Sequence, residues 1–417
     1  MLNTSKPLFV YLQRPDTGEW VTVGRYRKGQ PNEGQFLYAP SYVDAGLTWS
    51  IDPKNLPFLP GENISASRYQ GLHHVLRDAC PDAWGQTLLR REYNLPENAP
   101  PLQYLVKASN LDRWGALAVG TGNKPSDATM SNPNLPQLDE VVEELAALAE
   151  RRPPVRPKIR SRLVQTVSVG GARPKATVRG DNGEFWLVKP EVATDVANIP
   201  LLEHVGQQWG AASGLNFAVT GFHPSAGGRS AVRVLRFDRT HARRHMCVSA
   251  ASLLQTEYPG LMQTDRWSYP RLAEELRLVG APLKDRIELF GRMVFNAVCG
   301  NDDDHVRNHA IVYSGGERCW RLAPAFDVVP NPVETPARLH IQLSLGRFDI
   351  SREAVLADSH RFGFASEVDA AGYLDALLER IVASYDSVAH WLDQDWRQIL
   401  HERMTHNVAV LTGQLGA

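Results

Sequence analysis

Apolar positions along the chain change period several times, and each change marks an expected element. Leu8 to Leu12 and Trp20 to Gly24 read as short strands, whereas "HHVLRDACPDAWGQTLLRR" (73–91) has apolar residues near helical spacing. Pro81 interrupts that spacing, which predicts two short helices joined by a turn. Residues 123–135 are rich in Asn, Pro and Ser and read as a linker or long loop. Pro136 then opens a helix with Leu138, Val142, Leu145 and Ala149 along one face. The following "VRPKIRSR" is basic and broken by proline; it reads as a solvated connector, with a patch for phosphate or an acidic partner as the alternative.

From Leu163 the pattern becomes strand-like. A small-residue loop, Ser168 to Ala172, precedes a strand at Lys175–Val178, a turn at Asp181-Asn182-Gly183, and a second strand, Glu184–Lys189. A helix from about Pro200 carries Glu203; strands are expected at Leu215–Val219 and Ser230–Phe237, around Gly227-Gly228. The rest is mainly helical. "LKDRIELFGRMVFNAVCG" (283–300) places Ile287, Phe290, Val294 and Ala297 on one stripe and runs into "NDDDHVRNH" (301–309). Short strands at His309–Tyr313 and Arg318–Leu322 lead to Phe326-Asp327, and Trp391 and Trp396 are expected core anchors of the C-terminal helices.

Composition adds exclusions. With 417 residues there is room for two or three domains, and a formal net charge of -1 gives no sign of direct nucleic-acid binding. No apolar run approaches the roughly 18 residues of a membrane span, so a cytoplasmic protein is expected. Cys80, Cys247, Cys299 and Cys319 lie far apart and form no C-x-x-C pair, which argues against a disulfide framework or a structural zinc site.

The acidic cluster after the 283–300 helix raises three chemical readings. A calcium loop fails, because counting from Asp302 puts Arg307 at the glycine position and Tyr313 where a glutamate is required. His305 and His309 have an i, i+4 spacing suited to zinc only on a helix, and this segment joins a helix to a strand. His241, His245 and Cys247 pose the same question, but neighbouring arginines would repel a dication. Phosphoryl transfer finds all its parts. Asp303 and Asn308 have the spacing of a catalytic aspartate and a magnesium-binding asparagine, and Asp327 follows a hairpin as a second magnesium ligand should. Upstream, the loop at Ser168–Ala172 can bring backbone N–H groups to phosphates, Lys189 stands where a strand lysine meets them, and Glu203 can hold that lysine. There is no G-x-G-x-x-G, and Phe326 precedes Asp327 where an ordinary kinase has D-F-G.

"SVGGARPKA" (168–176), "LVKP" (187–190), "RFDR" (236–239), "GNDDDHVRNHAI" (300–311) and "LAPAFDVVP" (322–330) together resemble the motif series of the HipA-type toxin kinases, bacterial serine/threonine kinases of toxin–antitoxin modules. "LRDACPDAWGQTLLRR" (76–91) and "DRWGALAV" (112–119) are similar to the N-terminal subdomain of that family. The resemblance implies an α+β, two-lobed kinase-like fold. An N-terminal subdomain would span 1–150, a mixed α/β N-lobe core 151–239, and an all-α C-lobe 240–417. It makes Asp303 catalytic, with His305 orienting the loop, and Asn308 and Asp327 the ligands of Mg2+. Val169, Gly170, Gly171, Ala172 and Lys189 would contact the phosphates of ATP, and Arg236, Phe237 and Asp238 would line the adenine side. Asp238 and Arg239 read equally as a structural ion pair, while Asp302 and Asp304 read as solvated or capping neighbours.

Ser168 matches the loop serine that family members autophosphorylate to switch the kinase off. The implied partners are a small DNA-binding antitoxin of the HipB type, with DNA contacted only through it, and a protein substrate such as an aminoacyl-tRNA synthetase. Two rivals use the same residues: an inactive kinase fold that only binds, and a small-molecule phosphotransferase of the aminoglycoside-kinase kind. Retention of Lys189, Asp303, Asn308 and Asp327 argues against the first, and the loop serine and N-terminal subdomain against the second.

Overall fold

The computed structural model describes residues 6–125, 134–165, 171–224, 229–258 and 264–415. Packing divides the chain into two compact units that it enters more than once: Met1–Pro190, Asp238–Val248 and Val312–Arg318 form one, and Glu191–Phe237, Ser249–Ile311 and Cys319–Ala417 the other.

The first unit is built on an antiparallel sheet of β1 (Leu8–Gln13), β2 (Trp20–Lys28), β3 (Gly34–Tyr38), β4 (Ile64–Ala66) and β5 (Leu117–Gly120), in the order β4-β3-β2-β1-β5. Alternation buries Tyr26 between the exposed Arg25 and Arg27, and a register shift against β1 at Val23 turns that residue inward as well. Around the sheet lie α1 (Pro40–Asp44), α2 (His74–Asp78), α3 (Ala83–Tyr93) and α4 (Pro101–Lys107). The break at Pro81 therefore separates two helices, and Asp82 caps the second by accepting the Gly85 N–H at 2.6 Å. Next come α5 (Leu138–Ala149) and α6 (Pro157–Gln165), then the hairpin of β6 (Ala176–Arg179) and β7 (Phe185–Pro190).

Helix α6 corrects the expectation of a solvated connector. Pro157 sits at its start, where a missing N–H costs nothing, and Ile159 and Leu163, four residues apart, are buried. The fully buried Glu144 of α5 accepts the N–H groups of Val155 and Arg156 at 3.0 and 2.6 Å and pairs with Arg160. The basic residues thus flank a helix start held by a buried carboxylate.

The second unit contains α7 (Ile199–Ala212), the antiparallel pair β8 (Thr220–His223) and β9 (Ala231–Leu235), and then α8 (Ala250–Leu253), α9 (Tyr269–Leu278), α10 (Leu283–Cys299), α11 (Arg352–Leu356), α12 (Glu367–Ala389) and α13 (Gln394–Leu411). Its core gathers Trp209, Phe290, Phe295, Leu374, Leu377 and Ile381, and the Trp209 indole N–H donates to the Ile381 carbonyl at 2.9 Å. The strand expected at 215–219 begins later, at Thr220, because Asn216 and Ala218 spend their backbone groups on Ala325. Trp391 and Trp396 are not core anchors. Trp391 is 40% exposed and packs beside His204, Phe222 and His390, while Leu400, Met404 and Leu411 supply the buried face of α13. Among the described residues no helix is long and apolar enough to cross a membrane, and all four cysteines are free thiols.

Candidate functional site

Helix α10 stops at Gly300, whose left-handed φ of 76° closes the helix; the N–H groups of Gly300 and Asn301 both return to the Asn296 carbonyl. Three aspartates follow immediately. A helix C-terminus disfavours negative charge, so each carboxylate needs its own partner. Asp304 has the deepest setting. It is 2% exposed and accepts from the Tyr269 hydroxyl and from His309 Nε2–H at 2.9 Å. Tyr269 in turn accepts from Asn296 Nδ2 at 2.9 Å, and Asn301 Nδ2 donates to Asn296 Oδ1 at 3.1 Å. The chain Asn301, Asn296, Tyr269, Asp304, His309 ties the loop to α9 and α10. Asp304 is therefore neither solvated nor a cap, contrary to the sequence reading. Asp302 is half-buried and accepts from Asn331 Nδ2 at 2.9 Å.

Asp303 points the other way. Its side chain is 75% exposed, and Oδ1 accepts from the Tyr258 hydroxyl at 3.1 Å, with His340 Nδ1 at 3.9 Å. Partial desolvation by the loop pushes its carboxyl above the usual range; His305 and then Tyr258 oppose this, and the nearby Asp327 charge adds to it. With so much of the side chain in water, solvent screening moderates the effect. The His305 ring lies against Tyr258 with centroids 3.8 Å apart, and burial lowers its pKa against the pull of Asp303, Asp327 and Asp304, favouring neutral imidazole. Asn308 is buried, takes the turn by donating its N–H to the His305 carbonyl at 2.8 Å, and directs Nδ2 to the Asp303 carbonyl at 3.4 Å.

Asp327 reaches the same neighbourhood from another direction. Ala325 is fixed between Asn216 and Ala218 by hydrogen bonds of 2.9 and 2.8 Å, and Phe326 packs on Phe237 with ring centroids 5.3 Å apart. Asp327 itself has φ 61°, a left-handed conformation that is uncommon outside glycine and that aspartate tolerates better than most other side chains. The structure thus brings Asp303, His305, Asn308 and Asp327 together. One carboxylate and one amide oxygen, from Asp327 and Asn308, are hard donors that suit Mg2+, a cation that keeps part of its shell for water and phosphate. The two histidines of the zinc reading are separated by role, His309 on Asp304 and His305 on Tyr258. Among the described residues no group of three or more His, Cys, Asp or Glu side chains could hold a metal ion by itself.

Of the residues expected at the nucleotide, Ser168, Val169 and Gly170 lie outside the described residues. The loop end is anchored within its own unit. Trp84 N–H donates to the Gly171 carbonyl at 3.4 Å, Arg173 donates to the Pro190 carbonyl at 3.4 Å, and Ala172 lies between them. Lys175 forms a buried ion pair with Asp82 at 3.2 Å. Burial pushes the Asp82 carboxyl up and Lys175 pulls it down. Lys189, at the end of β7, is buried, and Glu203 on α7 is 2% exposed and so no surface helix residue. Arg236 is buried and Phe237 half-buried. The Asp238 carboxylate binds Arg239 at 2.8 Å and accepts the Gly115 N–H at 2.9 Å, which gives it the structural ion pair that was one of its two readings.

Several contributors had no motif to announce them. Tyr258 and Tyr269 lie 45 and 35 residues before the aspartates they touch, and Asp82 is 93 residues from Lys175. Nothing in "CPDAWG" or "ARPKA" announces the last pair.

The family model described as the HipA-like C-terminal domain matches residues 167–395. Among solved structures, HipA from the toxin–antitoxin system of Shewanella oneidensis MR-1, determined with HipB and operator DNA, superposes with a TM-score of 0.72 at 17% identity, covering 97% of each chain. The proinflammatory kinase CtkA of Helicobacter pylori superposes with a TM-score of 0.45 at 14% identity, over 58% of this chain and 93% of its own. The first likeness shows the fold, α+β and similar to that of HipA over 97% of the chain. No curated protein sequence matches the chain.

Proposed function

The chain belongs to the family of HipA-like C-terminal domains, and from that premise we propose that it is an ATP- and Mg2+-dependent protein kinase acting on serine or threonine. One observation carries the reading: an exposed aspartate, Asp303, stands on a loop pinned from beneath by the buried Asp304, next to Asn308 and the left-handed Asp327. Exposure suits a group that must receive a macromolecular hydroxyl. The Tyr258 hydroxyl already donates to Asp303, as a substrate hydroxyl would.

In this reading Asp303 accepts the hydrogen bond, and then the proton, of the substrate hydroxyl as its oxygen attacks the terminal phosphorus of ATP, the bond from that phosphorus to the bridging oxygen breaks, and ADP leaves. His305, held neutral against Tyr258, keeps the loop in shape. Asn308 and Asp327 would hold Mg2+, which when bound neutralises charge on the phosphates. Lys189 serves the phosphates, with Glu203 as its ion-pair partner. Gly171 and Ala172, with Val169 and Gly170, supply backbone N–H groups, and Arg236, Phe237 and Asp238 form the segment on the adenine side. Positioning and fixed charge supply most of the rate.

The finer proposals follow the family: a toxin of a toxin–antitoxin module, residing in the cytoplasm and arresting growth by modifying a translation component such as an aminoacyl-tRNA synthetase. Autophosphorylation at Ser168 would silence it, and an antitoxin of the HipB type would bring it to DNA. The domain division at residues 150 and 239 belongs to the same proposal. Phosphoproteomics after brief induction tests it. New phosphoserine or phosphothreonine sites should appear with the native protein and be missing with Asp303→Asn; identical phosphoproteomes would overturn the reading.

A further inference from the structure

Asp327 keeps a left-handed backbone conformation, and a side chain that ties down the chain leading into it is on α7. Gln207 is fully buried, a setting in which a primary amide is tolerated only when its polar atoms are paired. Oriented by its partners, its nitrogen donates to the Ala325 carbonyl and its oxygen accepts the Asp327 N–H, both at 3.1 Å. One side chain therefore straddles Phe326 and fixes the two peptide units on either side of it. These units bracket the dihedrals of Phe326, and the second of them is the peptide through which the chain enters Asp327.

Gly206 provides the approach. A Cβ there would lie 2.7 Å from the Val328 carbonyl oxygen and 3.1 Å from Pro330 Cδ, so only glycine lets α7 lie this close to the segment after Asp327. Gln207 is also one turn beyond Glu203, and residues four apart share a helix face.

We propose that Gln207 is the positioning residue that holds Asp327 in its metal-binding conformation, with Gly206 setting the distance at which it acts. The inference rests on the reading of Asp327 as a magnesium ligand. It makes α7 a single lever: the helix that presents Glu203 also holds the carboxylate, so a displacement of α7 would disturb both.

The test measures metal affinity directly, with Mn2+ as the probe and its free electron paramagnetic resonance signal as the readout, in the presence of a non-hydrolysable ATP analogue. Gln207→Met keeps the volume and removes both hydrogen bonds. Loss of a group that orients a metal ligand typically weakens metal binding by about 10–100-fold, and that is the expected change. Affinity for the analogue without metal should stay near its native value, and the melting temperature without ligand should fall only by the few degrees that two lost neutral hydrogen bonds bring. Gly206→Ala, which pushes on the Val328 backbone, should weaken Mn2+ in the same direction, and Asp327→Asn sets the full loss.

Native Mn2+ affinity in Gln207→Met overturns the proposal, and so does an equal loss of analogue binding with and without metal, which is the mark of a merely structural side chain. If Gln207→Met fails to fold, Gly206→Ala decides: native metal affinity there overturns the proposal as well. Failure of the parent reading looks different, because the native protein would then bind no Mn2+ with the analogue, and the role assigned to Gln207 would fall with it.

Discussion

Replacing Tyr269 by Phe deletes one oxygen from the middle of the hydrogen-bond chain beneath Asp303 and leaves the buried ring in place, so no cavity opens. Two bonds disappear. Donation to the Asp304 carboxylate is charge-assisted and contributes about 1.5–3 kcal/mol, while acceptance from Asn296 contributes about 1 kcal/mol. Burial and the Asp304 charge push the Tyr269 hydroxyl well above its ordinary pKa, so it remains a donor throughout the working pH range. His309 still serves Asp304, which caps the loss at about 3–4 kcal/mol, a large part of the roughly 5–15 kcal/mol that stabilises a domain. The damage should be local. Hydrogen-exchange mass spectrometry should show faster exchange in the peptide spanning 300–309, urea unfolding should give the energy, and phosphotransfer should fall although Asp303 is untouched. A change below about 0.5 kcal/mol with native protection of that peptide would refute the view that Asp304 and Tyr269 form the platform of the loop.

Two further outcomes follow from groups outside the loop. Lys175→Met strands the buried Asp82 carboxylate and should cost about 3–5 kcal/mol, whereas adding Asp82→Asn, which keeps the α3 cap, should restore much of it; melts in which the double variant is no better than the single would contradict the pairing. Stability should also fall on acidification from about pH 6.5 toward 4. Burial lowers His73 and His204 to about 4, so the unfolded chain takes up their protons first, and the stability present above their ordinary pKa is lost as pH drops, by about 3 kcal/mol for each at most. Asp52, raised by burial to about 6, works the other way below that pH and offsets only part of the loss. A urea midpoint that rises between pH 7 and 4.5 would contradict this balance.

Local pattern announced the elements that frame the site. The period of α10, the turn between β6 and β7 and the helix bearing Glu203 were all legible, because each repeats within a few residues. What escaped depends on distant partners. Pro157 and the surrounding positive charge suggested a solvated connector, and only Glu144, brought in by α5, turns that stretch into the start of α6. Asp304 looks like its two neighbours in the sequence, and its burial is decided by Tyr269 and His309. Gln207 lies in an ordinary amphipathic helix and acquires its role only where α7 meets residues 325–328. Trp391 and Trp396 misled because size and hydrophobicity suggest burial, whereas the inward stripe of α13 is carried by Leu400, Met404 and Leu411.

The central claim is phosphoryl transfer by Asp303 with a cation held by Asn308 and Asp327. Incubating the purified protein with ATP labelled at its terminal phosphate, with Mg2+ or with a chelator, addresses it most directly. The account predicts label in protein serine or threonine that requires Mg2+ and vanishes in Asp303→Asn, a variant that still binds the nucleotide. Label retained by Asp303→Asn, or incorporated equally in the presence of chelator, would contradict it.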